Sequence, residues 1–127
     1  MKEVLLVFIG GGLGSMVRYG LSRAINYITV STFPVATLFI NILACFVLGL
    51  FLSYLDLKNS TNPSLRLLVA TGFCGGFSTF STFSYETLSL LRSGQATLAL
   101  ANIFLSVILC LAATLSGLLL AKILLPR

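Results

Sequence analysis

Hydrophobic residues fill four long stretches of the chain, and polar residues collect in the short segments between them. The stretches cover about residues 3–27, 34–55, 64–92 and 96–124. A helix rises about 1.5 Å per residue, so about 20 apolar residues cross the hydrocarbon core of a membrane. The pattern therefore predicts an all-α integral membrane protein, with residues 1–127 forming one domain of four transmembrane helices.

The third stretch differs from the others because its centre is polar. Residues 71–84 contain no Leu, Ile, Val, Met or Ala, but hold six Ser or Thr, three Gly, four Phe and one Cys. Hydroxyl groups in hydrocarbon need partners, and each glycine weakens a helix by roughly 1 kcal/mol relative to alanine. Irregular backbone at membrane depth is tolerated where it is buried in protein or lines a wet cavity. We therefore predict a helix broken at Gly72 and at the pair Gly75 and Gly76, resuming near Ser78.

Such a break creates two kinds of ion site. It leaves backbone carbonyls of the first half and N–H groups of the second half without partners inside the helix. The carbonyls can hold a cation, and the N-terminal end of the second half favours an anion. Phe77, Phe80 and Phe83 recur every three residues beside a row of Ser hydroxyls. We interpret Phe77 as a packing residue. The edges of phenylalanine rings carry partial positive charge, and together with hydroxyl groups they suit a small anion that must leave the site as readily as it enters.

Two other stretches carry a small or polar residue at every fourth position, which places each set in one row along a helix. The rows are Thr37, Asn41, Cys45 and Gly49, and Asn102, Ser106, Cys110 and Thr114. An amide in mid-span must face protein or water. Asn41 therefore either bonds a neighbouring helix or lines a pore, and we favour the pore. The same alternatives hold for the second row, and together the rows predict a polar track.

The first stretch contains GGGLGSMVRYG. Its glycines indicate close helix packing and not a dinucleotide loop, because no strand precedes them. Arg18 follows near the end of this stretch. Its side chain either reaches to the membrane interface or stands in a water-filled vestibule that attracts anions.

Composition excludes several classes of function. Of 127 residues, 57% are hydrophobic and 9% are charged, against about 25% charged in soluble domains. The chain has no His, and its only acids are Glu3, Asp56 and Glu86, the last expected to be a surface charge. The chain therefore lacks the residues needed for metal-dependent hydrolysis, for a His-based triad or for a paired-carboxylate mechanism, and we do not expect an enzyme. Net charge is +5, but the basic residues are scattered, which argues against nucleic-acid binding. The three cysteines show no CxxC spacing and are expected to be buried small hydrophobes.

Charges near the loops set the orientation of membrane proteins, and here they are nearly balanced. Five basic residues lie on the N-terminal side of the four spans and three on the other side: Lys2, Lys58, Arg66, Lys122 and Arg127 against Arg18, Arg23 and Arg92. This weak bias permits insertion in both directions. Four helices also make a small bundle, so a pore would form between subunits. An antiparallel dimer satisfies both observations.

Three segments together resemble the Fluc/CrcB family of bacterial fluoride channels. They are GGGLGSMVRY at 10–19, TLFINILACFVLG at 37–49 and GFCGGFSTFSTFSYE at 72–86. The resemblance covers the whole chain in order and length, and the third motif is the specific one. It implies a dual-topology antiparallel homodimer in the bacterial inner membrane, surrounded by lipid, with two fluoride pathways and one structural sodium ion.

The resemblance also implies roles for individual residues. Gly75 and Ser78 would hold sodium through their backbone carbonyls, where relatives often show Thr-Thr in place of Ser78 and Thr79. The pathway would be lined by Asn41, Phe80, Phe83, Ser81, Thr82 and Thr114, with Arg18 at a vestibule. Fluoride would leave passively, because no titratable residue is expected on the track. The physiological role would be relief from fluoride that enters as neutral HF.

Two other classes of protein remain as alternatives. A small proton-coupled multidrug exporter also has four spans and dual topology, but it needs a carboxylate in the middle of its first span, where this chain has only Glu3 at the start. A non-transporting membrane assembly subunit would use its polar rows only for packing. Asn41→Leu or Phe80→Ile would then alter stability but not flux.

Overall fold

The computed structural model describes residues 1–58 and 62–124, which form only helices and the turns between them. The helices are α1 (Lys2–Ile28), α2 (Val35–Leu57), α3 (63–77), α4 (Phe80–Arg92) and α5 (Ala96–Leu124), where α3 is the continuous run of Pro63–Leu65, Arg66–Cys74 and Gly75–Phe77. α3 and α4 together make one span, so four segments are long and apolar enough to cross a membrane. The all-α, multi-pass fold class is confirmed. The predicted loop at 56–63 and the C-terminal anchor ending at Arg127 lie partly outside the described residues.

The third span is interrupted at Ser78 and Thr79, whose backbones are extended. Their φ and ψ angles are −75° and 161° for Ser78, and −150° and 109° for Thr79. We expected the break at Gly72, Gly75 and Gly76, but all three glycines are helical, with π-helical hydrogen bonds over Arg66–Cys74. The extended residues follow Phe77, one position after the pair Gly75 and Gly76.

Contact with α1 explains why the glycine-rich part of α3 stays helical. A Cβ atom on Gly10, Gly14 or Gly76 would collide with a backbone carbonyl of the facing helix; those carbonyls belong to Leu68, Phe73 and Gly11. Close approach of two backbones is a main source of helix association in lipid, and it offsets the low helix propensity of glycine. The predicted packing role of the α1 glycines is confirmed for Gly10 and Gly14, whereas Gly12 faces open space.

α2 and α5 run side by side in the same direction. A Cβ atom on Gly49 would collide with the carbonyl of Thr114, and the Ser53 hydroxyl donates a hydrogen bond of 3.2 Å to the carbonyl of Leu118. In both pairs the two residues are 65 positions apart. The constant separation sets the register of the two parallel helices.

The same register brings the two rows of small and polar residues opposite each other. At a separation of 65 positions, Asn41 lies level with Ser106, and Cys45 lies level with Cys110. Each row follows one side of its helix because its members are four residues apart. The polar side of α2 therefore faces the polar side of α5 across the membrane interior.

Phe77, the last residue of α3, anchors the interrupted span in the core. Its ring is 2% exposed and packs with Ile40 and Ala44 of α2. Phe73 adds a second ring, with the two centroids 5.6 Å apart. The packing interpretation of Phe77 is confirmed, and the chain becomes extended immediately after this buried anchor.

Candidate functional site

The side chain of Asn41 holds the extended segment between α3 and α4. The Thr79 amide donates to Asn41 Oδ1 at 2.8 Å, and Asn41 Nδ2 donates to the Thr79 carbonyl at 3.2 Å. Buried backbone groups are rarely left unpaired. One side chain from α2 thus satisfies both backbone polar groups of Thr79, so the chain can leave the helix at this point.

A cavity of about 280 Å³ lies beside this contact, between α2, α4 and α5. It is lined by Asn41, Cys45, Ser78, Thr79, Phe80, Phe83, Ser106, Val107 and Cys110. Three of the residues predicted for the pathway, Asn41, Phe80 and Phe83, meet here. The rings of Phe80 and Phe83 have centroids 5.5 Å apart and are tilted by 41°. Phe80 is 79% exposed, so its ring forms the outer wall of the cavity.

The interruption also frees two backbone carbonyls. In a continuous α-helix Thr79 N would bond to Gly75 O, and Thr82 N would bond to Ser78 O. Instead Thr79 N donates to Asn41 Oδ1, and Thr82 N donates to Thr79 Oγ1 at 3.2 Å. Gly75 and Ser78 also line a small cavity of about 140 Å³.

These two carbonyls suit a hard monovalent cation. Unwound backbone carbonyls at a helix break are the ligands that coordinate sodium in membrane transport proteins. Within residues 1–58 and 62–124, no cluster of three or more His, Cys, Asp or Glu is placed to hold a metal.

A hydroxyl cluster surrounds the start of α4. Thr79 Oγ1 accepts from Thr82 N and donates to Thr82 Oγ1 at 2.9 Å, and Ser81 Oγ lies 3.4 Å from Thr79 Oγ1. Because Thr82 Oγ1 accepts this bond, its own proton can be donated onward. Ser81 and Thr82 lie at the N-terminus of α4, next to the cavity but outside its lining.

Arg18 contacts the end of α3. Its Nε donates to the Gly76 carbonyl at 3.1 Å, and the Ser15 hydroxyl donates to the same oxygen at 3.4 Å. A cation beside the last carbonyls of a helix complements the helix dipole. This contact places the half-buried Arg18 at the interruption, a position that the sequence did not indicate.

Thr114 lies one turn beyond the cavity. Its hydroxyl donates to the Cys110 carbonyl of its own helix at 3.0 Å, and its backbone packs against Gly49. The structure therefore places Thr114 in the contact between α2 and α5, outside the cavity lining.

Two thiols at the cavity depart from our expectation. Cys45 and Cys110 are half-buried and line it, whereas only Cys74 is buried as we expected of all three. Titratable groups therefore do lie beside Asn41 and the two phenylalanines. The sequence feature that could have placed Cys45 and Cys110 at the cavity is that each belongs to one of the two polar rows.

Glu86 also lies elsewhere than expected. Thr37 Oγ1 donates to Glu86 Oε1 at 2.9 Å, and Glu86 Oε2 is buried without a hydrogen-bond partner among the described residues. The side chain is thus half-buried between α4 and α2, not a charge on the surface. The sequence feature that could have indicated this position is Thr37, which belongs to the same polar row on α2 as Asn41.

Asn102 is part of a buried hydrogen-bond network and is only 1% exposed. Its Nδ2 donates to Thr87 Oγ1 at 2.8 Å, Thr87 donates to the Phe83 carbonyl at 2.7 Å, and Ser106 donates to Asn102 Oδ1 at 3.4 Å. The interpretation that Asn102 forms a hydrogen bond between helices is confirmed. The network joins α5 to α4 and supports the helix that carries Phe83.

An interrupted membrane helix beside a cavity is the arrangement by which transport proteins of the membrane bind ions. The family model described as CrcB-like protein, Camphor Resistance (CrcB), matches residues 5–118, and the chain belongs to this family. It is 46% identical over 122 residues to the fluoride-specific ion channel FluC of Flavobacterium psychrophilum, covering 96% of this chain and 98% of the relative. Identity to FluC of Pyrococcus horikoshii is 44% over 121 residues, covering 95% and 97%. The resemblance seen in the sequence is thereby confirmed.

Proposed function

We propose that this chain is a subunit of a fluoride-selective channel through which fluoride leaves the cell passively. Two related proteins of nearly equal length are named fluoride-specific ion channels. The observation that carries the proposal is the cavity where Asn41, Phe80 and Phe83 meet beside the interruption. We place the channel in the inner membrane of a bacterium.

The donors around the cavity suit fluoride, which is small and strongly hydrated. Each water lost must be replaced by a donor. Asn41 uses one amide proton on the Thr79 carbonyl and keeps a second, and Thr82 has a hydroxyl proton to offer. The ring edges of Phe80 and Phe83 add partial positive charge. None of the lining residues in the described part of the chain is Lys or Arg, so an anion would not be trapped.

We propose that two copies of the chain associate in antiparallel orientation. In one subunit the third span exposes a mostly polar face in mid-membrane: Thr71, Gly75, Phe80, Ser81 and Ser84. Hydroxyls and bare backbone are costly in hydrocarbon, so this face needs a protein partner. A second copy supplies a face of the same chemistry, and the weak charge bias allows it to insert in the opposite direction. Two copies would give two cavities and two pathways.

We further propose that a structural sodium ion is held at the centre by the carbonyls of Gly75 and Ser78. Their helical donors bond elsewhere, and Gly75 is exposed on the face assigned to the partner. The positive charge of the ion would attract carbonyl oxygens of both subunits and would hold the two interrupted helices together. Arg18 would draw anions toward the entrance, and Ser81, Thr82 and Thr114 would continue the polar track.

Anion efflux from liposomes tests the channel proposal. Fluoride and chloride electrodes would follow release in parallel, with valinomycin setting the voltage. We expect fluoride release without matching chloride release. Phe80→Ile should slow it at least about tenfold, which corresponds to about 1.4 kcal/mol, within the range of aromatic contacts. Phe8→Ile, at an exposed α1 position outside the cavity, serves as the matched control. Absence of fluoride release from folded wild-type dimer would refute the proposal.

Sodium exchange tests the ion. Replacing sodium by a large organic cation should lower the thermal stability of the dimer, and returning sodium should restore it with a saturating concentration dependence. Equal stability in both cations would refute a sodium ion held at Gly75 and Ser78.

A further inference from the structure

Two thiols face each other beside the cavity. Cys45 on α2 and Cys110 on α5 are 65 positions apart, the same separation as the contacting pairs Gly49 with Thr114 and Ser53 with Leu118 that follow them. Both cysteines line the cavity that contains Asn41, Phe80 and Phe83. Both are half-buried, so a small ion in the cavity can reach them.

The third cysteine does not complete a larger cluster. Cys74 is 3% exposed and lines the smaller cavity on the other side of Cys45. Throughout residues 1–58 and 62–124, no three Cys, His, Asp or Glu side chains are grouped to hold a metal. Zinc in structural sites takes four ligands, so this arrangement does not suit it. A pair of thiols instead suits a soft metal ion that accepts two ligands, because thiolates select soft ions.

We propose that Cys45 and Cys110 form a two-thiolate site for one soft, two-coordinate metal ion, such as Hg²⁺ or Ag⁺, and that the bound ion blocks the channel. Each thiol releases its proton to water as the metal–sulfur bond forms, so two protons leave per ion and no electron is transferred. The two thiolates cancel the charge of Hg²⁺ and exceed that of Ag⁺ by one, so the site gains no positive charge. The bound metal instead bridges α2 and α5 and fills space in the cavity beside Asn41, Phe80 and Phe83, through which an anion would pass. The proposed metal site does not depend on the proposed function, whereas the proposed block of the channel rests on it.

The binding experiment uses the purified dimer and mercuric nitrate as the probe. Bound metal is measured after gel filtration, and free thiols are counted with a thiol reagent. We expect one tightly bound ion per subunit, protecting two of the three thiols. Cys45→Ser, Cys45→Ala and Cys110→Ser should each bind about 100-fold more weakly, because a linked pair of ligands exceeds a single one by about that factor or more. Cys74→Ser, the matched control, should bind like the wild type.

The outcomes that overturn the site are specific. Wild-type affinity in Cys110→Ser combined with weak binding in Cys74→Ser would assign the pair to Cys45 and Cys74 and refute the proposal. Three equivalent ions per subunit would show that each thiol acts alone, which also refutes it. Weaker binding is taken as the loss of a ligand only in a variant that remains dimeric. Cys45→Ala provides a second substitution at the same position for this comparison.

The flux experiment repeats the titration in liposomes, with each variant normalised to its own fluoride release before metal is added. Wild type and Cys74→Ser should be blocked at the same concentration, whereas Cys45→Ser and Cys110→Ser should need about 100-fold more metal. Tight binding with unchanged flux would refute the block and leave the site. Absence of fluoride release before any metal is added would refute the proposed function, while the binding result would still decide the site.

Discussion

The two halves of the third span are held in place by different means. α3 lies backbone to backbone against α1, at glycines where no side chain fits. α4 is held by hydrogen bonds of side chains, from the Thr79 cap at its start to the contact between Thr87 and Asn102 further along. Close packing leaves no space for a ligand between α1 and α3, whereas polar side chains hold a helix at a distance. The cavity that contains Asn41, Phe80 and Phe83 accordingly lies beside α4.

Asn41→Leu should have the largest effect, because it removes the contact that joins the two halves. The Thr79 amide and carbonyl would lose their partners, at a cost of about 1–3 kcal/mol each. We expect fluoride efflux to fall at least about 100-fold, equivalent to about 2.7 kcal/mol, together with lower thermal stability. Asn26→Leu, at an exposed position on α1, is the control. Normal flux in a folded and stable Asn41→Leu protein would show that Asn41 only packs helices.

Gly14→Ala tests the glycine contact on the α3 side. The new methyl group would meet the Phe73 carbonyl and would lie 2.8 Å from Phe77 N, and both are backbone atoms that cannot turn aside. We expect a loss of about 1–3 kcal/mol in the free energy of unfolding, the usual cost of overpacking, measured by thermal unfolding of the purified protein. Gly12→Ala is the matched control, since its methyl group would face open space. Equal stability of the two variants would contradict close packing of α1 and α3.

Thr79→Val should weaken the start of α4 by a smaller amount. Valine keeps the shape but loses the oxygen that accepts from Thr82 N. Loss of such a cap costs about 1 kcal/mol, and Thr79→Ser, which keeps the hydroxyl, should lie close to the wild type. Unfolding temperatures of the three proteins give the comparison. A serine variant as unstable as the valine variant would mean that the Thr79 methyl group, not its hydroxyl, supports α4.

Thr87→Val should have the smallest effect. It removes the acceptor for Asn102 and the donor to the Phe83 carbonyl. Hydrogen bonds between membrane helices average about 0.6 kcal/mol, so we expect a small decrease in stability and an unchanged ratio of fluoride to chloride release. Thr97→Val, at an exposed position on α5, is the control. A change in that ratio would place Thr87 on the ion pathway instead of behind it.

Local sequence patterns were sufficient for the spans and for part of the site. Long apolar stretches required four membrane helices, because backbone polar groups in lipid must be bonded within the helix. The polar centre of the third stretch identified the region of the site, and Asn41, Phe80 and Phe83 were predicted and do meet at one cavity. The rows of small and polar residues four apart followed from helical periodicity alone.

Only the tertiary structure decided where the third helix stops and which rows face each other. Gly72 and Gly76 stay helical because α1 packs on them. The chain leaves the helix at Ser78 and Thr79 because Asn41, 38 positions away from Thr79, bonds the Thr79 backbone. The separation of 65 positions that brings Cys45 level with Cys110 is likewise a property of two packed helices. Local periodicity determines which side of a helix is polar, but the partner of that side is determined by contacts between residues far apart in the chain.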